Sequence, residues 1–307
     1  MKKAISFLLL INGLGINLFA QNYVDIAKFN YGYIPDVSLS DSQNRTDVQG
    51  IDVGVMVPIK LSEKIAVITG VDVSDQAIEI RSTSGIVNLR SAGIRLGVNV
   101  EHSNKWSGIY VAIPKVAGDF GDISGEDFQI GGAALWKYSK KENVKYKFGI
   151  YASTESFGLI TTPIVGGYYL SPNKKFEANV SLPVAFDLNY KVVKPLRFGV
   201  DFNAIVRSYD LSESALSAFY VHRWVKELSA YMQFDFLNEN LILKTKLVYA
   251  MNDFGLYQDN DQITLAIPSA EIGDNRIRLN NELGTAFGIK ASLIYRFQLK
   301  NKKAPKN

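Results

Sequence analysis

Apolar and polar residues alternate one by one along most of this chain, and this period of two constrains the fold more than any other feature. From residue 24 onward, segments of about ten residues repeat the pattern, and helical spacing is almost absent. In one segment, for example, Ile51, Val53 and Val55 alternate with Asp52 and Gly54. Each segment predicts a β-strand with one apolar face and one polar, glycine-rich face.

Membrane-spanning helices do not fit the mature part of the sequence. Such a helix needs about 20 consecutive apolar residues, whereas the nearest candidate, 156–173, is broken by Pro163 and by Gly166-Gly167. Disorder is excluded too, because hydrophobic residues make up 47% of the chain. We therefore predict an all-β protein. A soluble barrel would turn its apolar faces inward, and a membrane barrel would turn them outward.

The predicted connections alternate between short and long ones, which favours the membrane barrel. The short connections are 60–64, 101–105, 139–144, 171–175, 192–195 and 238–240. The long ones are 35–47, 75–86, 114–127, 209–217 and 254–281, with shorter members at 156–162 and at Pro183. This asymmetry is expected when short turns face the periplasm and long loops face the exterior.

Aromatic and charged residues support the same interpretation. Aromatic residues gather at strand ends and predict two interfacial belts, with Trp106, Trp136, Tyr138, Tyr146, Phe176 and Tyr190 near short turns and Tyr33, Phe128, Tyr209, Tyr220 and Trp224 near long loops. Charges of both signs lie in the middle of the polar strand faces and predict a wet or ion-paired lumen. These possible lumen charges are Asp52, Asp72, Arg95, Asp187, Asp201, Asp235, Lys244 and Lys290.

The strands must close into a ring if they cross a bilayer. An unpaired backbone amide in hydrocarbon costs several kcal/mol, so a free sheet edge is not tolerated there. Counting the segments predicts an antiparallel, up-and-down transmembrane β-barrel of fourteen strands. Twelve remains an alternative, because the two segments around Leu182-Pro183 could merge.

The two ends of the chain are predicted to lie outside the barrel. Residues 1–20 have the charged, apolar and small-residue regions of a secretory signal, 21–297 form the barrel, and 298–307 form a basic periplasmic tail. The formal net charge of +4 comes from these ends, because residues 21–297 contain 28 basic and 30 acidic residues. A barrel without a basic face offers no electrostatic footprint for nucleic acid.

Few residues could carry chemistry. Cysteine is absent and there are two histidines. His102 lies in a predicted turn, and His222 follows Asp210, Ser212, Glu213 and Ser214, which suggests a hydrolase as an alternative. Carboxylates that could hold a hard cation gather in two loops, as Asp119, Asp122, Glu126 and Asp127 in one and Asp259 and Asp261 in the other. Neither loop has calcium-loop spacing, and we predict no catalytic, cofactor or metal site.

The last strand resembles the C-terminal assembly signal of bacterial outer-membrane barrels. Lys290, Tyr295 and Phe297 match that pattern, whereas Ser292 stands where glycine is usual and ten residues follow Phe297. The mature chain, with its Leu182-Pro183 hairpin, is similar to an uncharacterised outer-membrane barrel family labelled as a domain of unknown function. The resemblance implies location in the outer membrane, contact with its lipids and insertion by the barrel-assembly machinery. It implies no catalytic residue.

Three functions remain open from the sequence. The first is a passive or narrow pore for small solutes, or a structural barrel, without catalytic activity. A barrel of fourteen strands falls between filled and open ones, so the long segment 254–281 is the expected constriction. The second is an outer-membrane hydrolase that uses His222. The third is a soluble secreted β-barrel that binds an apolar ligand.

Overall fold

The computed structural model describes residues 23–39, 44–81, 85–212, 216–267 and 270–298. The predicted signal segment and all but the first residue of the predicted basic tail lie outside these residues. Seventeen strands are present in the described parts. They are β1 (Tyr23–Ser38), β2 (Arg45–Lys60), β3 (Ile65–Arg81), β4 (Gly85–Glu101), β5 (Trp106–Gly118), β6 (Phe128–Lys141), β7 (Val144–Glu155), β8 (Gly158–Leu170), β9 (Phe176–Leu182), β10 (Ala185–Lys191), β11 (Leu196–Leu211), β12 (Phe219–Phe236), β13 (Leu241–Met251), β14 (Phe254–Gln258), β15 (Leu265–Ile267), β16 (Ala270–Ile272) and β17 (Thr285–Gln298).

Fourteen of these strands form one closed antiparallel ring. Strands β1 to β13 pair in chain order, β13 pairs with β17, and β17 returns to β1 through the register Phe29↔Leu293. Closure satisfies the backbone groups that a free edge would leave unpaired. The predicted all-β barrel and its strand number are confirmed. Strand β9 ends at Leu182 and β10 begins at Ala185, with a tight turn between them. The two strands are separate, so the ring does not have twelve strands.

The outer surface of the ring is apolar. Side chains such as Val53, Val55 and Val71 are 40–51% exposed, and similar residues continue around the barrel. Their polar neighbours in the sequence face inward. A soluble protein rarely exposes a contiguous apolar surface of more than a few hundred Å², whereas such a belt suits acyl chains. The soluble barrel with an apolar interior is therefore wrong as an alternative.

The two ends of the barrel differ as the loop pattern predicts. The short-turn end has connections of two to five residues, at 61–64, 102–105, 142–143, 171–175, 192–195 and 237–240. At the long-loop end, much of what we predicted as loop is strand. Strand β3 extends to Arg81 and β4 begins at Gly85. Most of the predicted loop 75–86 is therefore part of the β3–β4 hairpin. The pattern missed this because the two faces are exchanged there, with Ile78 and Ile80 buried inside and Asp75 and Glu79 on the other face.

The β9–β10 hairpin is much shorter than its neighbours. Its strands have seven residues each, whereas β8 has 13 and β11 has 16. Above this hairpin, the end of β11 leaves the wall and bends across the lumen, where Asp210 pairs with Gly118 of β5. The vacated wall position is filled by β15, which pairs with β8 at Ala266↔Ile160.

No helix in the described residues is long and apolar enough to cross a membrane.

Candidate functional site: the lumen and its closure

Seven of the eight predicted lumen charges form ion pairs. Asp187 pairs with Lys244 at 2.8 Å and Asp72 with Arg95 at 2.6 Å. The remaining pairs join Asp235 to Arg197 at 2.7 Å, Lys290 to Glu227 at 2.6 Å, and Asp201 to Lys246. Asp52 lines a cavity of about 30 Å³ together with Glu227 and Lys290. Three of these five pairs join strands that are not neighbours in the ring.

A larger cavity of about 130 Å³ lies in the half of the lumen nearer the short turns. Three ammonium groups and two carboxylates line it, from Lys28, Lys244, Lys246, Asp187 and Asp201. Amides and hydroxyls complete the wall, from Asn179, Asn203, Ser181 and Ser292. We did not predict Lys28 and Lys246 as lumen residues, although the same alternation places them on polar strand faces.

The short-turn end holds a second charged network. Arg197 donates to Asp235 at 2.7 Å and to Glu239 at 3.1 Å, and lies 3.8 Å from Glu177. The Arg296 guanidinium stacks 3.4 Å from the Tyr23 ring centroid and bonds Asp25. The Tyr23 hydroxyl also donates to Glu177 of β9 at 3.1 Å, which links the adjacent strands β1 and β17 to a distant part of the wall.

An apolar closure fills the interior at the long-loop end. It contains fully buried side chains from opposite walls, among them Ile78, Ile80, Leu89, Tyr209, Leu211, Val221, Val225, Phe254 and Leu256. We expected Tyr209 and Tyr220 in an aromatic belt against lipid, and that expectation is wrong. Both are 0% exposed, because β11 bends inward and loop residues cover Tyr220. The expected belt at the short-turn end includes exposed Trp106, Tyr146 and Tyr190.

Polar bonds hold the inward bend of β11 in place. The backbone NH and hydroxyl of Ser208 donate to Glu155, which also pairs with Lys115 at 2.6 Å. Arg207 donates to the hydroxyls of Ser74 and Ser91 on the far wall at 3.2 and 3.0 Å. Buried charges are stable only when paired, and the bonds of Arg207 and Ser208 join β11 to distant strands of the ring. The sequence gives no signal for these partners, which lie 40 to 133 residues apart.

The segment after β14 crosses the outside of this region, and we call residues 259–267 and 270–279 the strap. Its Ile263 and Ala266 pack with Phe157 and Ile160 over the gap above β9 and β10. Arg276, with a side chain that is 0% exposed, pairs with Glu271 at 3.0 Å and Asp274 at 2.9 Å. Its guanidinium carbon lies 4.1 Å from the Tyr257 ring centroid. This arginine fastens the strap to β12 and β14.

Burial raises the pKa of Glu271 to about 7, and a hydrogen bond with Asp274 adds to the effect. The pKa of Asp274 is lowered, first by its bond with Arg276. Of the two carboxyl groups, Glu271 is therefore the one that takes up a proton at the higher pH.

His222 lies under the strap and not in a catalytic arrangement. Its Nδ1 is 3.3 Å from both Glu271 and Arg276, and its ring packs 4.1 Å from Phe157. In the described part of the chain no serine or threonine hydroxyl bonds to it, and its Nε2 has no partner. Of its sequence neighbours, Ser212 bonds Asp119, and Glu213 and Ser214 lie outside the described residues. His102 lies in its turn, 3.1 Å from the hydroxyl of Tyr110.

Three of the carboxylates around the long loops come together. Oxygens of Glu126, Asp210 and Asp259 lie within 4.8 Å of one another, which is a spacing that a hard cation could bridge. Burial, together with the charge on Glu126, raises the pKa of Asp259. The sequence placed Glu126 and Asp259 in separate loops, and only the bend of β11 adds Asp210.

The residues of the assembly pattern occupy both faces of β17. Lys290 and Ser292 face the lumen, and Ser292 is 3% exposed. Tyr295 is 49% exposed on the outer surface, and Phe297 follows one position before the strand ends at Gln298. Recognition of this last strand by the assembly machinery remains a prediction.

Residues 16–236 match the family described as Domain of unknown function (DUF6268). The chain belongs to this family. The DUF6268 match ends at the last residue of β12, so β13 and β17, which close the ring, lie beyond it. No curated protein matches the sequence.

Several solved barrels are similar to this DUF6268 member. The NanC porin shares 7% identity, with coverage of 88% of this chain and 98% of that one and a TM-score of 0.37. An outer membrane channel from Pseudomonas putida F1 shares 7%, with coverage of 90% and 95% and a TM-score of 0.43. The Pseudomonas putida toluene transporter TodX shares 10%, with coverage of 93% and 92% and a TM-score of 0.38. These values carry no information about solute or mechanism.

Proposed function

We propose that the protein is an integral outer-membrane β-barrel that acts as a narrow channel for small solutes, closed at its long-loop end in this conformation. The observation that carries the proposal is the difference between the two halves of the lumen. The short-turn half holds a charged cavity of about 130 Å³, and the long-loop half holds the apolar closure. A barrel that served only as a scaffold would need no such cavity.

The outer surface supports the location. A closed antiparallel barrel with an apolar belt, short turns at one end and longer connections at the other is typical of outer-membrane proteins. Secretion through the signal 1–20 and insertion through the last strand are parts of the same proposal. The hydrolase alternative gains no support, because His222 is buried against Phe157. Among the described residues, no serine or threonine hydroxyl is hydrogen-bonded to its ring, and its Nε2 has no partner.

Single-channel recording in planar bilayers tests the channel. We expect the intact protein to show little conductance, because Phe254 and Leu256 lie in the closure between the two walls. Deleting 259–281 removes the strap, and replacing Phe254 and Leu256 by serine weakens the closure without shortening the chain. Both variants should conduct in discrete steps.

Two controls make the result clear. Heat-modifiable migration in detergent gels shows that each variant still forms a barrel. Leu61→Ser, in an exposed short turn, should leave conductance unchanged. If the intact, trimmed and serine variants all fold and none conducts, the channel is excluded and a structural barrel remains.

A further inference from the structure

The lumen cavity contains one ammonium group that the fold leaves without a counter-ion. Of its three lysines, Lys244 pairs with Asp187 and Lys246 pairs with Asp201. Lys28 forms no ion pair and no hydrogen bond with any other described residue, although its side chain lines the same wall. The cavity thus has three positive and two negative side chains, and the excess charge is carried by Lys28.

The wall of the same cavity also contains an acceptor without a hydrogen-bond donor. Asp201 is 4% exposed, and its Oδ2 accepts from Lys246. Its Oδ1 is buried and has no hydrogen-bond partner in the described part of the chain. A buried acceptor without a donor costs about 1–3 kcal/mol, so a solute NH or OH group that bonded this oxygen would relieve that cost.

We propose that the cavity is a binding site for small monocarboxylates that carry a hydroxyl group. The carboxylate of the solute would accept from the ammonium of Lys28, and the hydroxyl would donate to Oδ1 of Asp201. Charge-assisted bonds of this type are about twice as strong as neutral ones. A cavity of about 130 Å³ admits a molecule of a few heavy atoms and no large one. This inference deepens the proposed function by naming its solute class.

The remaining wall is consistent with such a ligand. Asn179, Asn203 and Ser292 add neutral donors and acceptors around the two charged positions. Asn179 already accepts from Lys147 at 2.7 Å, which holds its amide in one orientation. Because both charged pairs are already made, a monovalent anion brings the cavity to neutrality, whereas a dianion would leave it with an unmatched negative charge.

Calorimetric titration of the full chain in detergent tests the site, with lactate and propionate as probes. The two acids have similar shapes and differ by one hydroxyl. We expect lactate to bind, and propionate to bind more weakly because it has no donor for Asp201. Lys28→Met should weaken lactate binding about tenfold or more, whereas Lys28→Arg should retain most of it. Asp201→Ala should abolish the preference for lactate over propionate.

The control is Lys105→Met, which removes the same charge from an exposed turn at the short-turn end. It should bind lactate like the wild type. The proposal fails if folded wild-type protein does not bind lactate, if Lys28→Met and Lys105→Met bind it equally, or if propionate binds as well as lactate. Calorimetry in detergent measures binding and bilayer recording measures conductance, so a failure of one is distinguishable from a failure of the other.

Discussion

At the scale of single residues, Asp259 is a carboxylate whose position destabilises the native state near neutral pH. Its carboxylate lies beside those of Glu126 and Asp210, and burial with the Glu126 charge raises its pKa. A group whose pKa is raised on folding stabilises the native state below its unfolded pKa of about 3.9. That contribution is lost as the pH rises through the folded value. Near neutral pH, Asp259 therefore destabilises the long-loop end.

Asp259→Asn should increase the resistance to urea unfolding at pH 7 to 8, because it removes one of three clustered charges. The gain should shrink as the pH falls and disappear below about pH 3, where the carboxyl is protonated in both states. Urea titrations of micellar protein across this range measure the difference. Asp122→Asn, in the neighbouring exposed loop, serves as the control and should show little gain. A loss of stability in Asp259→Asn at pH 7 would contradict the prediction.

At the scale of elements, the strap depends on one arginine. Arg276 is fully buried between Tyr257, Glu271 and Asp274. Removing one partner of a buried ion pair costs about 3–5 kcal/mol, because the other charge stays desolvated. The strap has few other apolar anchors, so we expect that cost to appear as local opening and not as loss of the barrel.

Arg276→Ala should accelerate amide hydrogen exchange in 259–279 by two or more orders of magnitude, which corresponds to about 3 kcal/mol. Exchange in the ring strands should not change. Arg45→Ala is the control at the same end of the barrel, since Arg45 pairs with Asp36 at 2.8 Å, both side chains are more than half exposed, and surface pairs contribute about 0–1 kcal/mol. Equal exchange in the two variants would mean that Arg276 does not fasten the strap.

Strand limits were predictable because turn residues interrupt the alternation at short connections. Segments predicted to begin near 106, 144, 176, 196 and 241 begin at those residues. The long-loop end was less predictable. Strands β14, β15 and β16 lie within the predicted loop 254–281, and their pairing with β12 and β8 depends on contacts far apart in the chain. Local periodicity carries no signal for such pairing.

At the scale of the whole molecule, orientation of the strand faces decides the environment. Leu247 lies in the middle of β13 and is 58% exposed on the outer surface. An arginine at the midplane of a lipid-facing strand costs about 2–4 kcal/mol, and the cost falls to about 0–1 kcal/mol near the interface. The destabilisation by an arginine in this apolar belt should therefore depend on its depth in the bilayer.

Leu247→Arg should lower the free energy of unfolding in phospholipid vesicles by about 2–4 kcal/mol. Leu61→Arg, in the turn 61–64 and 65% exposed, should lower it by about 1 kcal/mol or less. Reversible guanidine unfolding followed by tryptophan fluorescence measures both. Equal effects at the two positions would show that Leu247 does not face the bilayer core.

The sequence by itself determined the class of fold, the number of strands and the charged character of the lumen. It could do so because a period of two assigns every residue to a face, and because closure follows from backbone hydrogen bonding in hydrocarbon. Only the tertiary structure decided that β11 bends inward, that Tyr209 and Tyr220 are buried, and that Lys28 and Asp201 line one cavity. These depend on which strands meet across the lumen. That choice is made by packing and ion pairing between distant residues, which alternation along one strand does not encode.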